Sequence, residues 1–155
     1  MLSCENLTVR VPNSDAPILN SATVSFAPRA MNAVIGPSGC GKTTLVKAML
    51  KIIPSEGESY LGGARIASGD DLSGRVGFAP QFTCVHQMLT VREAVECAFD
   101  LAVADASDRA ERVESVLETV GLAEHADKRV GSPSGGPLRR MGPAGELAGH
   151  PHTVV

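Results

Sequence analysis

The chain has 155 residues and a net charge of −3 at neutral pH. This length suits about one domain, and the acidic balance argues against a general nucleic-acid scaffold. Aromatic residues make up only 3% of the chain and tryptophan is absent, so side chains on which bases could stack are scarce. We therefore expect no nucleic-acid partner.

The cysteines indicate a reducing compartment. The four of them, Cys4, Cys40, Cys84 and Cys97, contain no C-x-x-C pair and show no metal-ligand spacing. We expect reduced thiols in a cytoplasmic protein. Neither a signal peptide nor an apolar run near the roughly 18 residues that span a bilayer is visible. Any membrane role is therefore expected to come through a partner or through further sequence.

The first part of the chain alternates apolar and polar residues, as strands do. Leu7, Val9 and Val11 predict one strand, and residues 18–26 predict a second. A short apolar run at 31–35 predicts a third strand. The N-terminal part is therefore expected to be rich in β-structure.

Two more β-segments are predicted before the pattern changes. Residues 57–66 read as a strand or hairpin with Gly62-Gly63 as its turn. Residues 75–79 read as a short strand that ends at Pro80. Beyond about residue 82 the apolar period becomes helical, which predicts a separate helical subdomain.

The helical part carries clear start and stop signals. Thr90 and Glu93 have the spacing of a capping box at the start of one helix. A second helix is predicted from about residue 107 or 108 to Val120, with Gly121 as the glycine that follows its last turn. We divide the chain into a nucleotide-binding core at 1–82, a helical subdomain at 83–148 and a last segment at 149–155.

Nine residues after the predicted strand at 31–35 match the phosphate-binding pattern G-x-x-x-x-G-K-[ST]. Glycines let such a loop turn tightly, so that its N–H groups form a concave anion site at the start of a helix. The helix is predicted from the apolar face of Leu45, Ala48, Met49 and Ile52. The candidate ATP-binding residues are Gly36, Pro37, Ser38, Gly39, Cys40, Gly41, Lys42, Thr43 and Thr44.

Two residues of this loop have separate predicted roles. The pattern places Lys42 on the β- and γ-phosphates of a nucleotide, and it places the Thr43 hydroxyl on Mg²⁺. ATP and Mg²⁺ are therefore the expected ligands. For Cys40, a small tolerated residue is the simpler interpretation, and a redox switch is the alternative.

Four stretches together resemble the ATP-binding subunits of ABC transporters. The loop at 36–44 with its helix looks like the Walker A segment of that family, and residues 77–81 look like the strand that leads into its Q-loop. Residues 89–94 are similar to the start of its helical subdomain, and residues 134–136 to the centre of its signature sequence. The resemblance implies an α/β fold of the P-loop NTPase type, with a β-rich N-terminal part and a helical subdomain.

The resemblance also implies a mechanism and partners. Two such domains pair head to tail, and each ATP lies between the Walker A loop of one and the signature of the other. Gln81 would help to bind Mg²⁺, with Thr43, and would pass motion to a transmembrane subunit at the cytoplasmic face. The implied signature residues are Ser134, Gly135 and Gly136.

The chain departs from the family pattern near the signature. Pro133 and Pro137 replace the residues that flank it, and Pro143 lies inside the helix that should follow. A proline there removes a hydrogen bond and clashes with the preceding turn. We expect this helix to be kinked or shortened. Val11 occupies the position of an aromatic residue that stacks on adenine in many family members.

A larger departure concerns the Walker B strand, whose Asp-Glu end does not occur by Val155. The resemblance therefore implies no catalytic residue in this chain, an incomplete central sheet and impaired hydrolysis, as in a truncated ABC ATPase. Two alternatives stay open: a nucleotide-binding fragment without turnover, and a small phosphate-loop nucleotide kinase. The lack of an arginine-rich lid argues against the nucleotide kinase.

Overall fold

The chain folds into two compact units, Met1–Ser73 and Gly74–Val155, which we call the N-terminal and C-terminal units. The structure is a computed structural model, and it describes residues 1–12, 16–79, 85–102, 108–131, 136–148, 151 and 153–155. The domain boundaries predicted at residues 82 and 148 stay predictions.

The N-terminal unit is built on an antiparallel sheet. Its strands lie in the order β2-β1-β3-β4, with the bounds β1 Leu2–Val9, β2 Leu19–Ser25, β3 Glu56–Leu61 and β4 Ala64–Arg65. The strand predicted at 18–26 is confirmed within narrower limits, and Ala22 and Val24 alternate with more exposed neighbours as expected. The hairpin is confirmed too, because Gly62 and Gly63 both have the positive φ that its tight turn requires.

One helix covers this sheet. Helix α1 packs against β1 and β3, spans Lys42–Met49 and buries Leu45, Ala48 and Met49. The predicted apolar face is therefore confirmed except at Ile52, which is half exposed. The reason is local: Lys51 takes a left-handed φ of 55°, and Ile52 N–H donates to the Lys47 carbonyl, which closes the helix before Ile52 is reached.

The strand predicted at 31–35 does not form. These residues carry no strand assignment, and Met31 and Ile35 are 100% and 93% exposed. A strand needs a neighbour that accepts and donates its backbone hydrogen bonds. None of the strands among the described residues pairs with this segment, so the apolar run stays outside the sheet.

The C-terminal unit is mainly helical. Its elements are β5 Val76–Gly77, α2 Val91–Ala102, α3 Arg109–Thr119, α4 Gly136–Ala148 and β6 Thr153–Val154. Helices α2, α3 and α4 pack around one apolar core, whose largest fully buried side chains include Val91, Val95, Phe99, Leu117 and Met141. Strands β5 and β6 pair in parallel. Among the described residues, no helix has the length and apolar character that crossing a bilayer requires.

The predicted helix signals of this unit are confirmed. Thr90 N–H donates to the Glu93 carboxylate at 2.7 Å, and Glu93 N–H donates to the Thr90 hydroxyl at 3.1 Å. This reciprocal pair starts α2 by satisfying two N–H groups that the helix leaves free. Gly121 follows α3 with a φ of 66°, as a glycine beyond the last turn should.

The helix after the signature was predicted to be kinked or shortened; it is not shortened, and the kink stays a prediction. Helix α4 runs for 13 residues with Pro143 inside it. Pro143 faces solvent while Met141 and Ala144 are buried, so packing of the opposite side holds the helix together despite the missing N–H. Pro137 lies in the first turn, where a missing donor costs little.

Candidate phosphate-binding site

The loop at 36–44 turns into α1 through a left-handed glycine. Gly41 has φ 93° and forms the N-cap of the helix, and Gly39 has φ 80°. A Cβ at Gly41 would lie 3.2 Å from Leu19 Cδ2 and 3.4 Å from Ile18 Cγ2. Both the dihedral angle and the lack of space therefore require glycine at this position.

The start of α1 presents free donors to this loop. The first hydrogen bond of the helix joins Leu45 N–H to the Gly41 carbonyl at 2.8 Å. The N–H groups of Lys42, Thr43 and Thr44 therefore have no acceptor within the helix, and no side chain caps them. Such donors, together with the positive end of the helix dipole, attract an anion.

Lys42 brings a full positive charge to the same loop. Its Nζ donates to the Gly36 carbonyl at 2.9 Å and to the Pro37 carbonyl at 2.7 Å. These bonds fold the side chain back from the helix across the loop. The ammonium is therefore held at the loop that leads into α1, and an ammonium is a strong hydrogen-bond donor to phosphate.

A close contact inside the loop explains a second glycine. A Cβ at Gly36 would lie 2.8 Å from Cys40 Sγ, nearer than real atoms approach. Cys40 itself is exposed, and its Sγ lies 3.8 Å from Lys42 Nζ. A Cβ at Gly36 would thus force the exposed Cys40 side chain to move, whereas Gly36 itself does not have a left-handed φ.

The donor set fits a polyphosphate better than a free metal ion. The described residues contain no group of three His, Cys, Asp or Glu side chains that could hold a metal. Thr43 is exposed beside the free N–H groups, where its hydroxyl is a suitable ligand for an ion that phosphates also bind. Mg²⁺ is commonly held in this way, by few protein ligands together with phosphates and water.

The other predicted site residues are not brought to this loop by any observed contact. Gln81, Ser134 and Gly135 lie outside the described residues. Gly136 is the first residue of α4. Val11 is 42% exposed in the N-terminal unit. Their roles stay predictions.

The fold resembles that of a solved nucleotide-binding protein. The structure described as the dimeric, post-hydrolysis state of the ATP-binding cassette MJ0796 bound to ADP and Pi matches with a TM-score of 0.84. The match covers 99% of this chain and 72% of the other, at 23% sequence identity. This likeness confirms the predicted fold class, an ABC ATPase-like arrangement of mixed α/β structure.

Sequence comparison gives the family. The model of the ABC transporter family matches residues 19–155, and the chain belongs to this family, in its ATP-binding part. The chain is 32% identical to the taurine import ATP-binding protein TauB of Roseobacter denitrificans, and the match covers 99% of this chain. It is also 32% identical to the hemin import ATP-binding protein HmuV of Rhizobium meliloti, with 91% of this chain covered. The ABC transporter ATP-binding/permease protein Rv1747 of Mycobacterium tuberculosis is 33% identical to this chain, and the match covers 92% of it.

The chain is shorter than these relatives. It spans 58% of TauB, 54% of HmuV and 17% of Rv1747. The predicted family is therefore confirmed, and the kinase alternative is not favoured. What the whole relatives transport and assemble with is a separate question for this chain.

Proposed function

We propose that this chain binds Mg-ATP through residues 36–44, as the nucleotide-binding part of an ABC transporter. The observation that carries the proposal is that one loop combines the Lys42 ammonium, bonded to the Gly36 and Pro37 carbonyls, with the uncapped N–H groups at the start of α1. Oriented N–H donors and a flexible ammonium form a site for the triphosphate rather than for the base. Family membership supports the same ligand.

Each part of the loop has a role in this proposal. The N–H groups of Lys42, Thr43 and Thr44 bind phosphate oxygens, and the Lys42 ammonium neutralises the terminal phosphates. The Thr43 hydroxyl and phosphate oxygens would hold Mg²⁺, with Gln81 as a further predicted ligand. When bound, the ion supplies charge that stabilises the phosphates. Gly39 and Gly41 let the backbone come close enough for these bonds.

The proposed partners follow from the family. A second ATP-binding domain would pair head to tail with this one, and Ser134, Gly135 and Gly136 would face the ATP of that partner. A transmembrane subunit would receive the motion at the cytoplasmic face. The dimeric state named for the ATP-binding cassette neighbour and the import systems named for TauB and HmuV support such an assembly.

Titration with a fluorescent ATP analogue tests the binding site. Lys42→Ala removes the ammonium and should raise the Kd by about 10- to 100-fold, since hydrogen bonds to charged groups are among the strong ones. Lys47→Ala is the matched control, because it removes the same charge from the same helix more than one turn away from the loop. It should leave the Kd within about threefold, as expected for a partly exposed lysine.

The control also separates local recognition from general charge. Equal loss of affinity in the two variants would mean that the affinity for ATP depends only on the net charge of the N-terminal unit. Unchanged affinity in Lys42→Ala, with folded protein by circular dichroism, would contradict the site. Phosphorylation of an added nucleoside monophosphate would instead favour a kinase.

A further inference from the structure

Strands β1 and β2 of the N-terminal unit pair with two irregularities. The register shifts between Cys4 and Leu7 and again between Leu7 and Val9. At each shift one strand has one residue more than the other, which makes a β-bulge. One residue at each bulge is left-handed, Asn6 with φ 51° and Ser21 with φ 50°. This backbone is unfavourable for a residue with a Cβ, so the bulges need a local cause.

A threonine hydroxyl accepts the backbone N–H of each left-handed residue. Ser21 N–H donates to Thr8 Oγ1 at 2.9 Å, and Asn6 N–H donates to Thr23 Oγ1 at 3.0 Å. In a regular antiparallel pair, the N–H groups that face the other strand donate to its carbonyl oxygens. The two hydroxyls therefore replace carbonyls where the register shifts. We call these places the Thr8 bulge and the Thr23 bulge.

The Thr8 bulge lies beside the two residues that line the phosphate loop. Ile18 N–H donates to the Val9 carbonyl at 2.8 Å, next to the bulge. The position that a Cβ would take at Gly41 is 3.2 Å from Leu19 Cδ2 and 3.4 Å from Ile18 Cγ2. Ile18 and Leu19 thus form the surface against which the N-cap of α1 lies.

We propose that Thr8 is a positioning residue for the phosphate loop. Its hydroxyl fixes the start of β2 and thereby places Ile18 and Leu19 against the glycine that begins α1. A β-bulge bends its strand and re-aims neighbouring side chains. Thr8 is 6% exposed, so little water can replace its hydroxyl as the acceptor of the Ser21 N–H. The effect on ATP rests on the proposed function, whereas the effect on the loop does not.

Amide hydrogen exchange of the nucleotide-free chain tests the effect on the loop. Thr8→Val keeps the shape of the side chain and removes the hydroxyl, so the Ser21 amide should exchange about tenfold faster or more. The Leu45 amide makes the first hydrogen bond of α1. It should exchange about threefold faster or more, because the start of the helix loses its support. Thr8→Ser keeps a hydroxyl and should leave both rates near the wild-type values.

Thr23→Val is the matched control, because it removes the same kind of hydrogen bond from the same pair of strands. It should accelerate the Asn6 amide at the Thr23 bulge and leave the Leu45 amide unchanged. Equal acceleration of the Leu45 amide in Thr8→Val and Thr23→Val would indicate general loosening of the sheet and would overturn the proposal. An unchanged Leu45 rate in Thr8→Val would overturn it as well.

Titration with a fluorescent ATP analogue tests the effect on binding. Thr8→Val should raise the Kd by about threefold or more, since hydrogen bonds from misaligned N–H groups to phosphate are weak. Thr8→Ser should bind like the wild type, and Thr23→Val should stay within about twofold of it. A wild-type Kd in Thr8→Val, with an accelerated Leu45 amide, would refute the role in binding.

The wild type gives a reading that does not depend on the folding of any variant. Coupling free energies are reciprocal, so a bulge that promotes ATP binding must itself be stabilised by ATP. Saturating ATP should slow the Ser21 amide by about threefold or more and leave the Asn6 amide unchanged. Equal slowing of both amides, or of neither, would contradict the coupling.

Failure of the proposed function has a different signature. If the wild type takes up no ATP at all, the proposed function is wrong. The exchange rate of the Leu45 amide in Thr8→Val and Thr23→Val would still decide whether Thr8 supports the loop.

Discussion

Replacement of Gly41 by alanine should destabilise the N-terminal unit in two distinct ways. The residue has φ 93°, and a left-handed backbone costs a residue with a Cβ about 1–2 kcal/mol. The new Cβ would also lie 3.2 Å from Leu19 Cδ2, and 3.4 Å from both Ile18 Cγ2 and the Ile18 carbonyl oxygen. Crowding of packed groups costs a further amount of about 1–3 kcal/mol.

Gly39 separates the two costs within the same loop. Its φ is 80°, and a Cβ there would meet no atom within 4 Å. Gly39→Ala should therefore carry only the dihedral cost. Both substitutions restrict the unfolded chain and recover about 0.4–1 kcal/mol, so this contribution cancels between them. Gly41→Ala should thus be less stable than Gly39→Ala by about 1 kcal/mol, the low end of the crowding cost, because Ile18 is 42% exposed and can yield.

Urea unfolding followed by tyrosine fluorescence measures this difference. The chain has no tryptophan and one tyrosine, and Tyr60 lies in β3, so the signal reports on the N-terminal unit. The free energy of unfolding should fall from wild type to Gly39→Ala and again to Gly41→Ala. Equal losses in both variants, or a smaller loss in Gly41→Ala, would refute the reasoning from contacts.

Two further predictions concern other local contacts. Gly36→Ala places a Cβ 2.8 Å from Cys40 Sγ and should lower the free energy of unfolding in the same urea assay. The double variant Gly36→Ala/Cys40→Ala removes this clash and should recover most of the lost stability. Additive effects of the two substitutions would contradict the prediction. Hydrogen bonds from the Thr90 N–H and hydroxyl lower the pKa of Glu93 in the folded state. The Glu93 carboxylate therefore stabilises the fold fully above the ordinary glutamate pKa, and this stabilisation is lost as the pH falls through the lowered pKa of the folded state. The stability advantage of wild type over Glu93→Gln should therefore vanish in acid, and an advantage independent of pH would rule out this linkage.

Local signals of the sequence were the most reliable. The capping box of Thr90 and Glu93, the glycine after α3 and the Gly62-Gly63 turn each depend on a few neighbouring residues. Their geometry is set by bonds within the segment itself. The apolar face of α1 was predictable for the same reason, up to the turn at Lys51 that leaves Ile52 outside the helix.

Features that depend on distant partners were missed. The run at 31–35 has strand composition, but a strand forms only where another strand pairs with it. Pro143 was expected to kink or shorten α4, yet the helix keeps its full length, with Met141 and Ala144 buried on its other side. The hydrogen bond from Phe78 N–H to the Glu146 carboxylate joins residues 68 positions apart, and no pattern in the sequence predicts it.

The geometry of the phosphate loop depends on contacts within the N-terminal unit alone. Gly41 lies close to Ile18 and Leu19 at the start of β2, Lys42 is held by loop carbonyls, and α1 is anchored on β1 and β3. None of these contacts requires the run at 31–35 to be paired in a sheet. Binding of the triphosphate should therefore respond to substitutions in the loop.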